Sequence, residues 1–415
     1  MSVFTKAKIM LPENADMTKW SVVACDQYTS ERDYWERVKE TVGDAPSTLN
    51  IIFPEVYLED EGGDKRIESI NSTMKKYVDE GVLKELSSCY IYTERTLKDG
   101  SVRKGIMGCA DLEEYDFSKG SQSLIRATEG TVIERIPPRV KVRENAPLEL
   151  PHIMLLIDDD KKEIIENVAN KKDTFKKLYD FTLMENSGSL KGYLVDDETA
   201  KEFEDALNLL GEKSAFSKKY STDKDVLHIA VGDGNHSLAT AKTCYENLKE
   251  KIGDKAKEMP QRYALCELGN LHDDSLLFEA IHRVVFGASK DEFMNALKSK
   301  YTLKEGCADD SFIIVEDGKE TSYVIENPDF NLTVGCIQSV IDTFIKDTGA
   351  TVDYIHGEDV VKNLSKDGNF GIILNCMKKT ELFPTVILDG VLPRKTFSMG
   401  EAHDKRFYLE ARYIG

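Results

Sequence analysis

From Val226 to Val231 the chain is mostly apolar, as a buried strand requires. The run stops at Gly232-Asp233-Gly234-Asn235. The two glycines can take positive φ, and the Asp and Asn side chains bond nearby backbone, so the chain turns sharply here. Ser237 to Lys251 then predicts a helix: Leu238, Ala241, Tyr245 and Leu248 share one face, with no Pro or Gly between them. Strand, polar turn and helix in close succession constrain the chain to an α/β arrangement. The strand would deliver Asp233, His236 and Ser237 to a sheet edge. The helix would aim its first N–H groups and its positive dipole end at whatever sits over the turn, forming an anion pocket. A plainer reading stands beside it, in which Asp-Gly-Asn is a common turn and Asn or Ser is an N-cap. The stretch is not a Walker loop, since Gly-Lys-Ser/Thr is missing, and it lacks the third glycine of a dinucleotide fingerprint.

Charge narrows the partners. The 415 residues carry a formal net charge of -19. A surface this acidic repels nucleic acid and anionic membrane, so nucleic-acid binding is disfavoured. The length suggests two or three domains, and 41% hydrophobic with 31% charged residues is the composition of a globular chain. Eight cysteines are scattered without a Cys-x-x-Cys or a His at zinc spacing. Neither a signal peptide nor a membrane-spanning apolar stretch is read from the sequence, which gives a cytoplasmic protein as the expectation.

Other stretches bear on the site. Trp20 to Cys25 is apolar, reads as a strand and ends in Asp26-Gln27-Tyr28-Thr29-Ser30, before an expected helix from Glu31 to Val42, a second strand–polar turn–helix unit. Cys25 reads as a core thiol, with nucleophile as the competing role. Arg66 to Leu86 has a helical pattern, and Lys98-Asp99-Gly100-Ser101 marks a hairpin. Arg126, Arg135, Arg139, Lys141 and Arg143 cluster on what reads as a loop broken by Pro137-Pro138. They are either a solvated face paired with Glu129, Glu134 and Glu144 or a fork of guanidiniums for phosphate or carboxylate. Pro151 to Asp158 reads as a strand, Lys161 to Met184 as a helix, and Phe407 to Ile414 as a docked C-terminal strand. Asn270, His272, Asp273 and Asp274 are candidate ligands for a divalent cation, although adjacent residues seldom converge on one ion.

Several motifs then act together: Asp233-Gly234-Asn235-His236-Ser237, Arg135-x-x-x-Arg139-x-x-x-Arg143, Pro151-His152, His282-Arg283, Asp353-Tyr354-Ile355-His356-Gly357 and Leu392-Pro393-Arg394-Lys395-Thr396. This combination resembles the domain-of-unknown-function-1015 (DUF1015) family of bacterial and archaeal proteins over nearly the whole chain. The central motif also resembles the Asp-Gly-His-His-Arg turn of the ParB/sulfiredoxin superfamily, which includes free-serine kinases. There the turn opens a helix and holds phosphate, with the acid assisting phosphoryl transfer. Asp233, Gly234 and His236 match; Asn235 replaces the first His and Ser237 the Arg, so an arginine from 126–143 or Arg394 would have to serve. Members of the family are often encoded beside serine-biosynthesis genes, which favours serine or phosphoserine as substrate.

The expectation is a mixed α/β protein with sheets flanked by helices and a ParB/sulfiredoxin-like element around the turn. An N-terminal domain (1–255) would carry the turn and the arginine cluster, and a C-terminal domain (256–415) would fold back onto the cleft. The resemblance implies phosphoryl transfer or phosphate-ester hydrolysis on a small amino or hydroxy acid, with a non-catalytic sensor of an anionic metabolite or nucleotide as the alternative. Asp233 and His236 would be catalytic. Gly234, Asn235, Ser237, Arg126, Arg135, Arg139, Arg143, Arg394 and Lys395 would bind the anion, supported by His152, His282, Arg283 and His356. Mg2+ and ADP or ATP are the cofactors the resemblance suggests.

Overall fold

The structure of the chain, a computed structural model, describes residues 2–415. It is a mixed α/β protein of two compact units. One comprises the chain up to Ala127, Thr131–Leu276 and Glu401–Gly415; the other comprises Thr128–Gly130 and Leu277–Gly400. The limit expected at 255/256 falls inside the first unit, because Tyr263–Asn270 is an interior strand of its sheet.

That sheet has ten strands: β1 (Phe4–Thr5), β2 (Ile91–Thr96), β3 (Val102–Asp111), β4 (Tyr115–Asp116), β5 (Ile125–Ala127), β6 (Met154–Ile157), β7 (Lys176–Thr182), β8 (Ser189–Leu194), β9 (Ile229–Asp233) and β10 (Tyr263–Asn270). Their order is β7-β8-β2-β3-β10-β6-β9-β5-β4, with β1 beside β3. β9 runs parallel to β5 and antiparallel to β6. Alternation along the central strands divides two apolar cores. Ile106, Ala110, Ala264, Cys266 and Leu268 belong to one, and their neighbours Met107, Cys109 and Leu265 to the other, as a period of two demands. The unit's longer helices are α1 (Arg32–Val42), α2 (Gly63–Asp79), α3 (Ile136–Arg143), α4 (Asp197–Leu210) and α5 (Asn235–Ile252). Leu238, Ala241 and Tyr245 of α5 enter the first core.

Four expectations need correction. The arginine stretch 135–143 is the helix α3 rather than a loop, because Pro137 and Pro138 sit in its first turn, where no intrahelical N–H is lost. Lys161–Met184 is not one helix. A short helix, Ile165–Asn170, gives way to β7, which returns as β8 through Glu185 and Asn186 in left-handed conformation. The alternation of Tyr179 and Phe181 with polar residues was the strand signal there. The helix expected at Arg66–Leu86 ends at Asp79, and Leu83–Glu85 pairs with Met10–Pro12. Trp20–Cys25 is extended only after the short helix Met17–Trp20, and Val23 bridges Phe407.

The C-terminal segment docks as expected, although only Arg412–Tyr413 is regular strand, paired with Leu148–Glu149. Trp20 Nε1 donates to the Leu409 carbonyl (3.0 Å), Ala24 N to Arg406 O (2.9 Å) and Met10 N to Ala411 O (2.7 Å). Its side chains carry charge into the interior. Arg406, 5% exposed, pairs with Glu267 and Glu410 and donates from Nε to the Pro151 carbonyl at 3.1 Å. Arg412 donates to Glu149 at 2.6 Å, and Arg143 pairs with the same carboxylate.

The second unit is a seven-stranded sheet of β11 (Phe278–Phe286), β12 (Leu303–Glu305), β13 (Phe312–Glu316), β14 (Lys319–Ile325), β15 (Thr351–His356), β16 (Phe370–Leu374) and β17 (Phe397–Met399). The order is β12-β14-β13-β16-β11-β15, with β17 on β11. Helices Lys290–Lys300 and Thr333–Thr348 pack against each other.

Burial by itself raises the Glu267 and Glu149 carboxyls; Arg406 and Arg103 at the first, and Arg412 and Arg143 at the second, more than offset it and hold both below the usual range. Their stabilising contribution is therefore complete above the unfolded value of about 4.3 and is lost as pH falls through the lower folded values. Arg406→Met is expected to lower the unfolding free energy by about 3–5 kcal/mol at neutral pH, since it strands buried carboxylates. Urea titration would read this, and a loss under about 1 kcal/mol, the size of an exposed pair, would contradict it.

Candidate functional site at the N-terminus of helix α5

β9 ends at Asp233, and Gly234 turns the chain with φ +78°. A Cβ at Gly234 would lie 3.0 Å from Ile153 Cα, so both conformation and space require glycine. Helix α5 begins at Asn235, earlier than expected, with no side-chain cap. Asn235 therefore is not the N-cap, and its Oδ1 is buried without a hydrogen-bond partner.

Two sets of contacts meet at this turn. On one side the Asp233 carboxylate accepts from the Gly234 N–H at 2.8 Å and from Lys405 Nζ at 3.1 Å. Burial pushes Asp233 upward, but Lys405, the Gly234 N–H and nearby His152 outweigh it and hold the group below its ordinary value. Asp233 is thus held as a carboxylate at neutral pH and is a weak base. On the other side Ser237 Oγ lies 2.8 Å from His152 Nε2, and His152 Nδ1 lies 2.6 Å from the Tyr408 hydroxyl. His152 and Tyr408 are buried. Asp26 Oδ2 stands 3.6 Å from His152 Nε2. His236 Nε2 accepts from the Val132 N–H at 3.3 Å.

Helix α3 packs against α5 and brings part of the arginine cluster alongside. A cavity of about 150 Å³ is lined by Ser237, His152, Tyr408, Glu55, Arg139 and Arg143, with apolar side chains such as Phe53, Met74 and Leu265. Arg139 pairs with Glu55, and Arg143 with Glu149. Burial pushes the Glu55 carboxyl up despite Arg139, with Asp26 adding to the rise. A larger cleft of about 640 Å³, lined by Trp35, Tyr57, Arg66 and Tyr77 among others, holds none of the expected site residues.

The other candidates have contacts or exposure of their own. Arg126 is 4% exposed and donates to the carbonyls of Ser123, Asp225 and Val226 at 2.8, 2.9 and 3.0 Å, tying β5 to the approach of β9. Those bonds, not an anion, occupy it. Arg135 is exposed, and its carbonyl accepts from Arg139. In the second unit, buried His282 accepts from the Leu374 N–H at 3.2 Å, and buried Arg283 donates to Gln338 Oε1 at 3.1 Å and to the Arg394 carbonyl at 3.2 Å. Arg394 lies over the Tyr354 ring at 5.2 Å, Lys395 is exposed with φ +57°, and His356 stands 3.8 Å from Glu279. The Asn270–Asp274 stretch does not converge: Asn270 holds the Asp159 carbonyl, His272 bonds Asp158, Asp273 accepts from Ser275, and Asp274 pairs with Lys162. Among the described residues no group of three His, Cys, Asp or Glu is placed to hold a metal ion, and no helix is long and apolar enough to cross a membrane. Cys25 is a thiol pushed well up, by burial first and then by Asp26, which agrees with the core-thiol reading. Lys405 and Tyr408, distant in sequence from the turn, were missed; only the docked C-terminal strand hinted at them.

The family model "Protein of unknown function (DUF1015)" matches residues 7–350, and the chain belongs to that family. No curated protein matches it. Among solved structures, a free serine kinase in complex with AMP has a TM-score of 0.38 at 12% identity, covering 71% of this chain and 91% of that one. A mutant free serine kinase in complex with ADP has a TM-score of 0.40 at 11% identity, covering 74% and 91%. SbnI with C-terminal truncation, from Staphylococcus aureus, has a TM-score of 0.36 at 10% identity, covering 71% and 83%.

Gly234→Ala is expected to destabilise the protein by more than about 1 kcal/mol, since Ala is strained at positive φ and would press on Ile153. Thermal or urea unfolding checks this, and an unchanged midpoint would contradict the close approach.

Proposed function

We propose that the turn at Asp233–Ser237 binds the phosphate of a small phosphorylated amino or hydroxy acid such as phosphoserine, and that the protein transfers or hydrolyses that phosphoryl group. The observation that carries this reading is the meeting at one point of an 18-residue helix N-terminus, an ammonium on Asp233 and a hydroxyl–imidazole pair. The helix N–H groups and Lys405 would hold the phosphate oxygens, since such transfers depend mostly on positioning and charge stabilisation. His236, which the family resemblance casts as acid or base, is better placed to fix the Val132 loop. Arg139 would take the substrate carboxylate by exchanging it for Glu55, whose raised carboxyl is the partner more readily given up.

The donor set also bears on the suggested cofactors. Mg2+ commonly uses one or two carboxylates together with substrate phosphates, and Asp233 would hold such an ion, arriving with its substrate, only by giving up Lys405. The ion would neutralise charge on the transferring group. A nucleotide acceptor or donor would present its phosphates to the same amides.

Phosphoserine turnover with Mg2+, with and without ADP, tests the reading by following free phosphate, ATP and serine. Turnover is expected, with Asp233→Asn slower by about 10²–10³, the size of loss when one stabilising group is removed from such a site. Binding without turnover would favour the sensor. No turnover and no thermal stabilisation by any small anion would overturn both.

A further inference from the structure

Tyr408 joins His152 to Cys25 through its phenol oxygen. Its phenol donates to Cys25 Sγ at 3.1 Å and accepts from the Cys25 N–H at 3.3 Å. The same oxygen lies 2.6 Å from His152 Nδ1. On the far side of the ring His152 Nε2 lies 2.8 Å from Ser237 Oγ, and it serves as the acceptor in the tautomer that places the ring proton on Nδ1. The ring is held edge-on to Tyr408 with centroids 5.5 Å apart. The carbonyl of Pro151, its chain neighbour, is fixed by Arg406. This is a hydroxyl against a base whose far nitrogen is oriented by a third group, the arrangement of an activated nucleophile. Ser237 is half-buried and lines the cavity described above.

We propose that Ser237 is a nucleophile, with His152 as its general base and Tyr408 as the positioning residue, so that the reaction passes through a phosphoseryl enzyme. The proposal rests on the phosphoryl reading of the turn. In the first step Ser237 Oγ forms a bond to phosphorus as the bond from phosphorus to the leaving oxygen breaks. The Ser237 proton passes to His152 Nε2, and the leaving oxygen keeps the bonding pair and takes a proton from water. In the second step water or an acceptor hydroxyl attacks the phosphorus, the bond to Oγ breaks, and Oγ recovers the proton from Nε2 while the attacking oxygen loses its own to solvent. Asp26, 3.6 Å from Nε2, stabilises the imidazolium between the steps. Asp233 and Glu55 also act electrostatically on this imidazole, with Arg139 opposing them across the cavity.

An alkyl fluorophosphonate, which reports an activated serine whatever the substrate, provides the test on the full chain. Intact mass and peptide mapping are expected to show one adduct, at Ser237, absent from Ser237→Ala. Labelling should fall as pH is lowered through imidazole titration, be about 10²–10⁴ slower in His152→Gln, as for loss of a general base, and show a displaced pH midpoint in Tyr408→Phe. An adduct elsewhere, no adduct, or equal rates in His152→Gln would overturn the nucleophile. With phosphoserine, turnover retained by Ser237→Ala would overturn the covalent step alone. Absence of turnover in the wild-type chain, with Ser237 still labelled, would overturn the phosphoryl reading and leave the nucleophile standing.

Discussion

The interior position of Arg406 is the constraint on which the first unit depends. A guanidinium 5% exposed is tolerable only when its charge is paired and its nitrogens find acceptors. Here Glu267 from β10, Glu410 from the C-terminal segment and the carbonyl of Pro151 meet them. Those partners come from three parts of the chain far apart in sequence, so the pairing fixes where the C-terminal segment crosses the sheet. Such pairs add little net stability when both members are present. Losing one is costly, which makes the register of the tail nearly all-or-none.

That register builds the site. Lys405, one residue before Arg406, reaches Asp233, and Tyr408, two residues after it, reaches His152. Pro151, whose carbonyl Arg406 holds, precedes His152. One buried side chain therefore places both the cation and the positioning hydroxyl at the N-terminus of α5. The tail also meets two further buried arginines: Arg95 donates to the His403 carbonyl at 2.9 Å and Arg103 to that of Asp404 at 3.0 Å. Burial, then neighbouring Arg103, lowers Arg95 to about 9, a sign of how much charge this crossing packs together.

The turn was legible because its physics is local. Apolar run, glycines and helix period lie within one stretch, and a strand, a positive-φ glycine and a helix follow in that order, the strand a few residues later and the helix two residues earlier than expected. The mixed α/β class and the docked tail were equally readable from alternation. What sequence order concealed is the company the turn keeps. Arg126 reads as a surface cation and is in fact a buried clamp on carbonyls, because nothing in its neighbourhood announces that Asp225 and Val226 present theirs. Pro137-Pro138 reads as a loop and instead opens α3, since proline is welcome in a first helical turn. Lys405 and Tyr408 lie about 170 residues beyond the turn, and no spacing rule reaches that far.

The central claim is that this turn is an anion site, and hydrogen exchange of backbone amides reads it most directly. The full chain, with and without phosphoserine at saturating concentration, would be compared at peptide resolution across α5. Slower exchange confined to the amides from Gly234 to Leu238 and to the Lys405–Tyr408 segment is the expected result, and it should vanish in Lys405→Met. Unchanged exchange there, or protection only at a surface away from the turn, would contradict the claim and leave Asp233–Ser237 as a structural strand-to-helix connection.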